Sequence, residues 1–363
     1  MKKLNTLLLA FVLFQIQSIA QGEVTIAGSQ VRKITSSIVA GQEYTLQISL
    51  PSGYATSDKK FPVVYLMDSQ WDFPLLSALY GEQYYDGFIP AAIIVGVTWG
   101  GEKPNPDSLR ARDYTPTKVN FTPQSGGAPK FLSFMKNELF PYIESNYKAD
   151  KNDRALVGCS LGGLFTLFAL FTEPGLFQRY VAASPAFGWD REVIYQFEKS
   201  YAEKNPIAPA RLYMIMGGVE RGVPGFDKLV SYLNERHYKN IDIKTRVLEN
   251  TGHSGTKGEG YARGLQFIYE KPSLNLSGPV LNQYTGSYQF ANGGPNIEIK
   301  NEDNRLVLYL GNNNNNKISL FAATENDFYS KSEYLNIHFK SDGGKVNGFQ
   351  LDLYGSSQFA TKK

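Results

Sequence analysis

The chain has 363 residues, 42% hydrophobic and 20% charged, with a formal charge of +3. That length allows two globular domains. The charge is close to balance and no dense Lys/Arg stripe occurs, which argues against a nucleic-acid partner.

Lys2 and Lys3 precede the apolar run Leu7–Phe14, and Ser18-Ile-Ala20 forms a small-x-small site before Gln21. This reads as a signal peptide over 1–20, with export to the periplasm or beyond. The run is too short to span a bilayer comfortably. No cysteine follows it, so a lipoprotein anchor is not expected. Cleavage removes Lys2 and Lys3 and lowers the charge from +3 to +1. No later segment reads as a membrane span, and Cys159 is the one cysteine, so no intramolecular disulfide is available.

Ile34–Ala40 and Tyr44–Leu50 alternate like paired antiparallel strands. Phe61–Met67 and Ala91–Val97 are continuous apolar runs, as expected of central strands buried on both faces. Pro129–Tyr147 carries Phe131, Phe134, Leu139 and Ile143 at helical spacing, with Pro141 as a kink or break. A strand then runs into Gly158-Cys-Ser-Leu-Gly162, and a helix is expected over Gly162–Phe171. Tyr180–Ser184, Leu212–Met216 and Ile241–Leu248 are further strands, and Phe226–His237 and Tyr261–Glu270 further helices. Strands alternating with helices predict a mostly parallel sheet covered on both faces, over 21–272.

The character changes at Lys271-Pro272, and 273–283 reads as a linker. From Tyr284 to the end the pattern is short alternating strands: Ser287–Phe290, Asn296–Lys300, Arg305–Leu310, Lys317–Phe321, Leu335–Lys340 and Gly348–Tyr354. That predicts a small antiparallel sheet or barrel over 284–363. The run Asn312–Asn316 reads as a loop tip.

Gly158-Cys-Ser-Leu-Gly162 is a G-x-S-x-G sequence between a strand and a helix, the layout of a nucleophile elbow. Ser160 is therefore the candidate nucleophile. Cys159 occupies the variable position and is expected to pack into the sheet. A serine hydroxyl needs a base, and the chain has three histidines. His237 closes a helix, where a surface role suffices, and His338 lies in an alternating strand, where exposure is expected. His253, in Glu249-Asn-Thr-Gly-His-Ser-Gly255 just after the last strand of the first domain, is the candidate base. The acid that orients it should lie between serine and histidine in chain order. Glu220 follows the strand Leu212–Met216 and is preferred. Asp227 is the rival, but it falls near a helix start, where a helix-dipole role explains it.

An oxyanion needs backbone N–H donors. Leu161, after the nucleophile, should supply one, and Ser69 or Gln70, after the strand Phe61–Met67, the other. Trp71, Trp99 and Trp189 all fall at strand ends, where they suit an aryl or sugar substrate or simply pack loops over the sheet. Arg112, beside Asp113, is either a salt-bridged clamp or a contact for a substrate anion. The chemistry requires no metal and no organic cofactor.

Tyr65-Leu-Met-Asp-Ser-Gln-Trp71, Arg112-Asp-Tyr-Thr-Pro116, Gly158–Gly163, Ser184-Pro185 and Gly252-His253 together resemble the Putative esterase family of α/β-hydrolases. The resemblance covers about Ser36 to Lys271. It implies an α/β-hydrolase fold and a Ser-His-acid serine hydrolase, like siderophore trilactone, feruloyl and acetylxylan esterases. The siderophore-esterase side fits best, because a glutamate after a glycine often stands there at the place of Glu220. One departure is Ser69, where the family usually has glycine, with the expectation of a narrowed pocket or an altered loop. The tail from Tyr284 resembles a lipocalin-like domain. The function expected is an exported carboxylesterase acting on aromatic-acyl carbohydrate esters or catecholate siderophore lactones. Acyl transfer by the same residues, or a non-catalytic glycan- or lipid-binding protein on a hydrolase fold, are the alternatives.

Overall fold

The computed structural model describes residues 25–311, 317–353 and 356–363. The expected signal peptide, the asparagine run and Tyr354 lie outside these residues. Strands β1 (Ser29–Thr35), β2 (Glu43–Ser49), β3 (Phe61–Leu66), β4 (Ile93–Trp99), β5 (Ala149–Cys159), β6 (Arg179–Ala183), β7 (Ala210–Gly217) and β8 (Ile241–Leu248) form one sheet. Its order is β1-β2-β4-β3-β5-β6-β7-β8. β1 pairs antiparallel with β2, and β2 with β4; every later pair is parallel. The first strand lies earlier than the alternation suggested, because Ser36 to Gly41 turn the chain: Gly41 N–H donates to the Ser36 carbonyl at 3.1 Å.

Both faces of the sheet are covered, which is why its central strands are apolar at every position rather than at alternate ones. Phe131, Phe134, Phe165 and Phe168 pack on one face. Phe73, Leu76, Tyr261 and Leu265 pack on the other. The long helix expected around Pro141 is three pieces: helix Ala128–Phe134, a π turn over Met135–Leu139, and helix Phe140–Asn146. Pro141 has no N–H to complete the α ladder, and the wider turn just before it accommodates that loss.

Helices Ser69–Tyr85, Pro106–Tyr114 and Ile194–Lys204 were not expected from the sequence pattern. In the first, the inward positions include Asp72 as well as Phe73, Leu76 and Tyr80, so the apolar stripe is interrupted.

The second domain is a closed eight-stranded barrel. Its strands are β9 (Gly286–Phe290), β10 (Ile297–Glu302), β11 (Arg305–Leu310), β12 (Lys317–Ala322), β13 (Asp327–Tyr329), β14 (Leu335–Asp342), β15 (Lys345–Leu353) and β16 (Ser356–Lys362). Each pairs antiparallel with the next, and β16 returns to β9. β13 and β16 are additions to the expected strands. The interior is filled by side chains, with Tyr288, Phe328, Phe339 and Phe349 in mutual ring contact. His338 is not a lone surface residue: its Nδ1 lies 2.6 Å from Asp327 Oδ1 on the facing strand.

The stretch expected as a linker is ordered against the barrel. It holds the helical turn Gly278–Asn282, and Leu274 bridges to Ala322 of β12. Tyr329 donates to the Lys271 carbonyl at 3.2 Å, and Tyr84 packs against Tyr334 with ring centroids 5.5 Å apart.

Candidate active site

Four adjacent parallel strands, β5 to β8, end at the same edge of the sheet, and each delivers one polar side chain just beyond its last residue. β5 leads into Ser160, β6 into Ser184, β7 into the loop with Glu220, and β8 into the loop with His253.

Ser160 has φ 59° and ψ −118°. This conformation is costly for any residue with a side chain and is the mark of a nucleophile elbow. Its backbone is pinned on both sides: Ser160 N–H donates to Ala183 O at 3.0 Å, and Ala186 N–H donates to Ser160 O at 3.0 Å. Glycine at 158 is a steric requirement. A Cβ there would stand 2.4 Å from the carbonyl carbon and oxygen of Gly162.

Glu220 is anchored through both carboxylate oxygens. Oε1 accepts from Ser184 Oγ at 2.6 Å and from Gly217 N–H at 2.8 Å, while Oε2 lies 2.6 Å from His253 Nδ1. Burial alone would raise the Glu220 pKa, but the bonds from Ser184, His253 and Gly217 outweigh it and hold the carboxyl below its ordinary range. The imidazole is about half exposed, with 48% of its side chain open to solvent against 12% for Glu220. Thr256 closes the ring of contacts: its Oγ1 donates to His253 O at 2.7 Å and lies 3.0 Å from Ser184 Oγ. Among the described residues no hydrogen bond joins Ser160 Oγ to His253. Asp227 is an exposed residue of helix Val223–Glu235 and takes no part in this cluster.

Ser69 and Gln70 open helix Ser69–Tyr85, and Leu161 opens helix Leu161–Thr172. N–H groups of a first helical turn have no partner within the helix. Asp68, before Ser69, has the left-handed φ of 54° and is held by Arg110, whose Nε and Nη2 reach its two oxygens at 3.0 and 2.8 Å. Burial raises the Asp68 pKa in spite of the guanidinium. Asp68 N–H in turn donates to Tyr114 Oη at 3.1 Å. Ser69 does not narrow a pocket. Its side chain is fully buried, and its Cβ lies 2.5 Å from where a Cβ on Gly96 would be. The extra atoms at position 69 thus fill the space left by glycine at 96.

The three tryptophans separate. Trp99 is a core residue, 4% exposed, with Nε1 donating to Asp113 Oδ2 at 2.7 Å. Its expected contact with substrate is therefore corrected. Of the two readings of Arg112 the structure shows the salt-bridged clamp and corrects the substrate contact: it binds both Asp113 oxygens at 2.7 and 2.9 Å, and Tyr44 adds a bond to the same carboxylate. Trp71 is half exposed and lies over Arg110, with its ring centroid 5.7 Å from the guanidinium carbon. Trp189 packs edge-on against the exposed Phe121, with centroids 5.6 Å apart. Trp189 and Phe121, but not Trp71, line a groove of about 590 Å³ with Lys118, Asp190 and Arg191. Trp189 N–H donates to Ala186 O and Ala186 N–H to Ser160 O, so the backbone of Trp189 is two hydrogen bonds from the elbow, although Ser160, Glu220 and His253 do not line the groove. Cys159 is buried, and burial pushes its thiol up to about 12, so it stays protonated at neutral pH.

Sequence reasoning missed Ser184 and Thr256 as partners of the acid and the base. Ser184-Pro185 stood out as a motif, but nothing in the sequence says which carboxylate that hydroxyl meets.

Residues 36–213 match the family model described as "Putative esterase", and residues 275–362 match a domain of unknown function, DUF3471. The chain is 33% identical over 213 residues to the ferri-bacillibactin esterase BesA of Bacillus subtilis, covering 54% of this chain and 72% of that protein. The chain belongs to the Putative esterase family. It is a siderophore esterase-like serine hydrolase on an α/β-hydrolase fold, followed by the DUF3471 barrel. It is also 28% identical over 220 residues to the siderophore triacetylfusarinine C esterase of Aspergillus fumigatus, covering 58% of this chain and 75% of that one. Among solved structures, the BES protein from Bacillus cereus superposes with a TM-score of 0.64 at 28% identity, covering 69% of this chain and 99% of that one. Among the described residues no helix is long and apolar enough to cross a membrane.

Proposed function

We propose that the protein is an exported serine carboxylesterase that cleaves esters carrying aromatic groups, with catecholate siderophore lactones preferred over aromatic-acyl carbohydrate esters. The observation that carries this reading is the 2.6 Å contact between Glu220 and His253 Nδ1 beside the strained elbow of Ser160.

With Nδ1 turned to the carboxylate, the other ring nitrogen is free to take a proton from Ser160. Such bonds are often long without substrate and tighten when it binds. Ser160 Oγ attacks the ester carbonyl, and its proton passes to His253. Glu220 holds the ring in the required tautomer and stabilises the imidazolium. The oxyanion is met by the N–H groups of Leu161 and of Ser69 or Gln70 at the ends of two facing helices. His253 returns the proton to the leaving alkoxide. Water, activated by the same ring, then releases the acid from Ser160.

The aromatic preference rests on the groove at Trp189. Trp189 and Phe121 offer flat apolar surfaces, and Lys118 and Arg191 suit phenolate or carboxylate oxygens. The named activities of the Bacillus subtilis and Aspergillus fumigatus relatives are siderophore esters, which supports the same choice. The basic start of the chain followed by an apolar run supports export.

The test is hydrolysis of acetyl, feruloyl and catecholate-lactone esters by the wild type and by Ser160→Ala. The expected result is preference for the catecholate lactone and loss of turnover to background in the variant, a fall of up to about 10⁶-fold. Equal activity of the two proteins would overturn the assignment.

A further inference from the structure

A second cavity, of about 450 Å³, lies between the hydrolase domain and the barrel and shares no lining residue with the groove at Trp189. Its walls come from β7, β8, the end of helix Thr256–Ile268 and the turn after helix Ser69–Tyr85 on one side, and from the end of β13 and the segment after it on the other.

The aromatic part of the lining is Tyr213, Phe267 and Tyr329, each less than a tenth exposed as a residue, and the more exposed Phe88. The charged part is strongly one-sided. Lys244, Arg246, Arg263, Lys271 and Lys331 all face the cavity, against a lone acidic lining residue, Glu270. Arg246 is neutralised by Glu259 at 2.8 Å, and Arg263 reaches that same carboxylate only at 3.9 Å. The others have no carboxylate within salt-bridge distance among the described residues. Lys331 lies on the Phe321 ring, and Lys244 on the Phe267 ring. Lys271 is the deepest in its surroundings: its ammonium has a neutral acceptor, Asn336 Oδ1 at 2.5 Å, and the face of Tyr329 at 5.1 Å. Burying an ammonium without a counter-charge is unfavourable. Burial accordingly holds Lys271 below the ordinary lysine range.

From this arrangement we infer that the interdomain cavity is a binding site for a small aromatic carboxylate, separate from the site at Ser160. The ring lies against Tyr213, Phe267 and Tyr329. The carboxylate meets Lys271, with Lys244 and Arg263 at the rim. A volume of about 450 Å³ is within the range of small-ligand pockets. Because both domains contribute to the walls, the bound anion also ties the barrel to the hydrolase domain.

The test is calorimetric titration of the full chain with benzoate, with cyclohexanecarboxylate and with benzyl alcohol. It is repeated on Lys271→Met and on the rim double variant Lys244→Glu/Arg263→Glu, whose substitutions are at exposed positions and leave folding intact. Saturable benzoate binding is expected, at least tenfold tighter than either analogue. Both variants should weaken it at least tenfold, while hydrolysis of a small acetyl ester by the rim variant stays within twofold of wild type. If benzoate shows no saturable binding, or binds the rim variant as it binds the wild type, the inference is overturned. The second result would place the benzoate elsewhere, including at Ser160.

Discussion

Ser184 donates its hydroxyl proton to Glu220 at 2.6 Å, on the carboxylate oxygen that His253 does not use. The acid is thus gripped from the far side, and the direction it presents to the imidazole is set by a residue just beyond the end of the neighbouring strand. Ser184→Ala removes that grip and leaves Glu220 with His253 and the Gly217 amide. The expected outcome is a fall in kcat of about 10- to 100-fold with KM little changed, since one hydrogen bond to a charged group is worth about 1.5–3 kcal/mol. Steady-state kinetics on the preferred ester checks this.

Glu220→Gln preserves the shape and removes the charge. It should lower kcat by about 10²–10⁴-fold, by favouring the wrong imidazole tautomer. Asp227→Asn should stay within twofold of wild type. The reverse pattern would reassign the acid.

The depressed pKa of Glu220 has a consequence for stability. A carboxyl whose folded pKa is lowered contributes stability above its unfolded pKa and loses it as pH falls through the folded value. Thermal stability should therefore decline as pH drops below the ordinary glutamate value of 4.5. Glu220→Gln should flatten that decline. Tm measured from pH 6 to pH 3 gives the slope for each protein.

Arg110 and Asp68 form a pair in which the carboxylate is 2% exposed and the guanidinium 17%. Arg110→Ala leaves a buried charge without a partner and is expected to cost about 3–5 kcal/mol. Burial already raises the Asp68 pKa, and removal of the guanidinium raises it further. The deficit should therefore shrink as pH falls and Asp68 takes up a proton. Urea denaturation at two pH values separates this from a simple loss of packing.

Ser69 and Gly96 should be coupled. Gly96→Ala places a methyl 2.5 Å from Ser69 Cβ, and overpacking of that kind costs about 1–3 kcal/mol. In Ser69→Gly/Gly96→Ala the contact with Ser69 is removed while the methyl still stands 2.9 Å from Phe73 Cδ2, so stability should be recovered in part and the two sites should show a favourable coupling. A double-mutant cycle in urea measures the coupling.

Much of the hydrolase domain was legible because its strands are apolar throughout and its elbow is a local sequence. Ser160, Glu220 and His253 each follow directly on a strand, so chain order alone brings them to one edge of the sheet. The helix Ser69–Tyr85 was not legible, because its buried face includes Asp72, whose charge is met by Lys257 and Tyr261 from far along the chain. For Trp99 and Arg112 the sequence left packing or clamping open beside substrate contact and could not decide between them, for a related reason. Both turn toward Asp113, and a buried carboxylate that collects three side chains leaves no local mark in sequence. β13 has three residues and β16 lacks a clear alternation, so the barrel could be anticipated as antiparallel but not counted to eight strands.

The pairing of β16 with β9 has a consequence for how the barrel is made. These strands are its last and its first, so the ring cannot close until the ribosome has delivered the final strand. Until then β9 and β15 each present an unpaired edge to the crowded milieu of a nascent chain, a template for joining the wrong partner. A premature stop before Ser356 would make that transient state permanent, and would turn a self-contained ring into an open ribbon prone to aggregate.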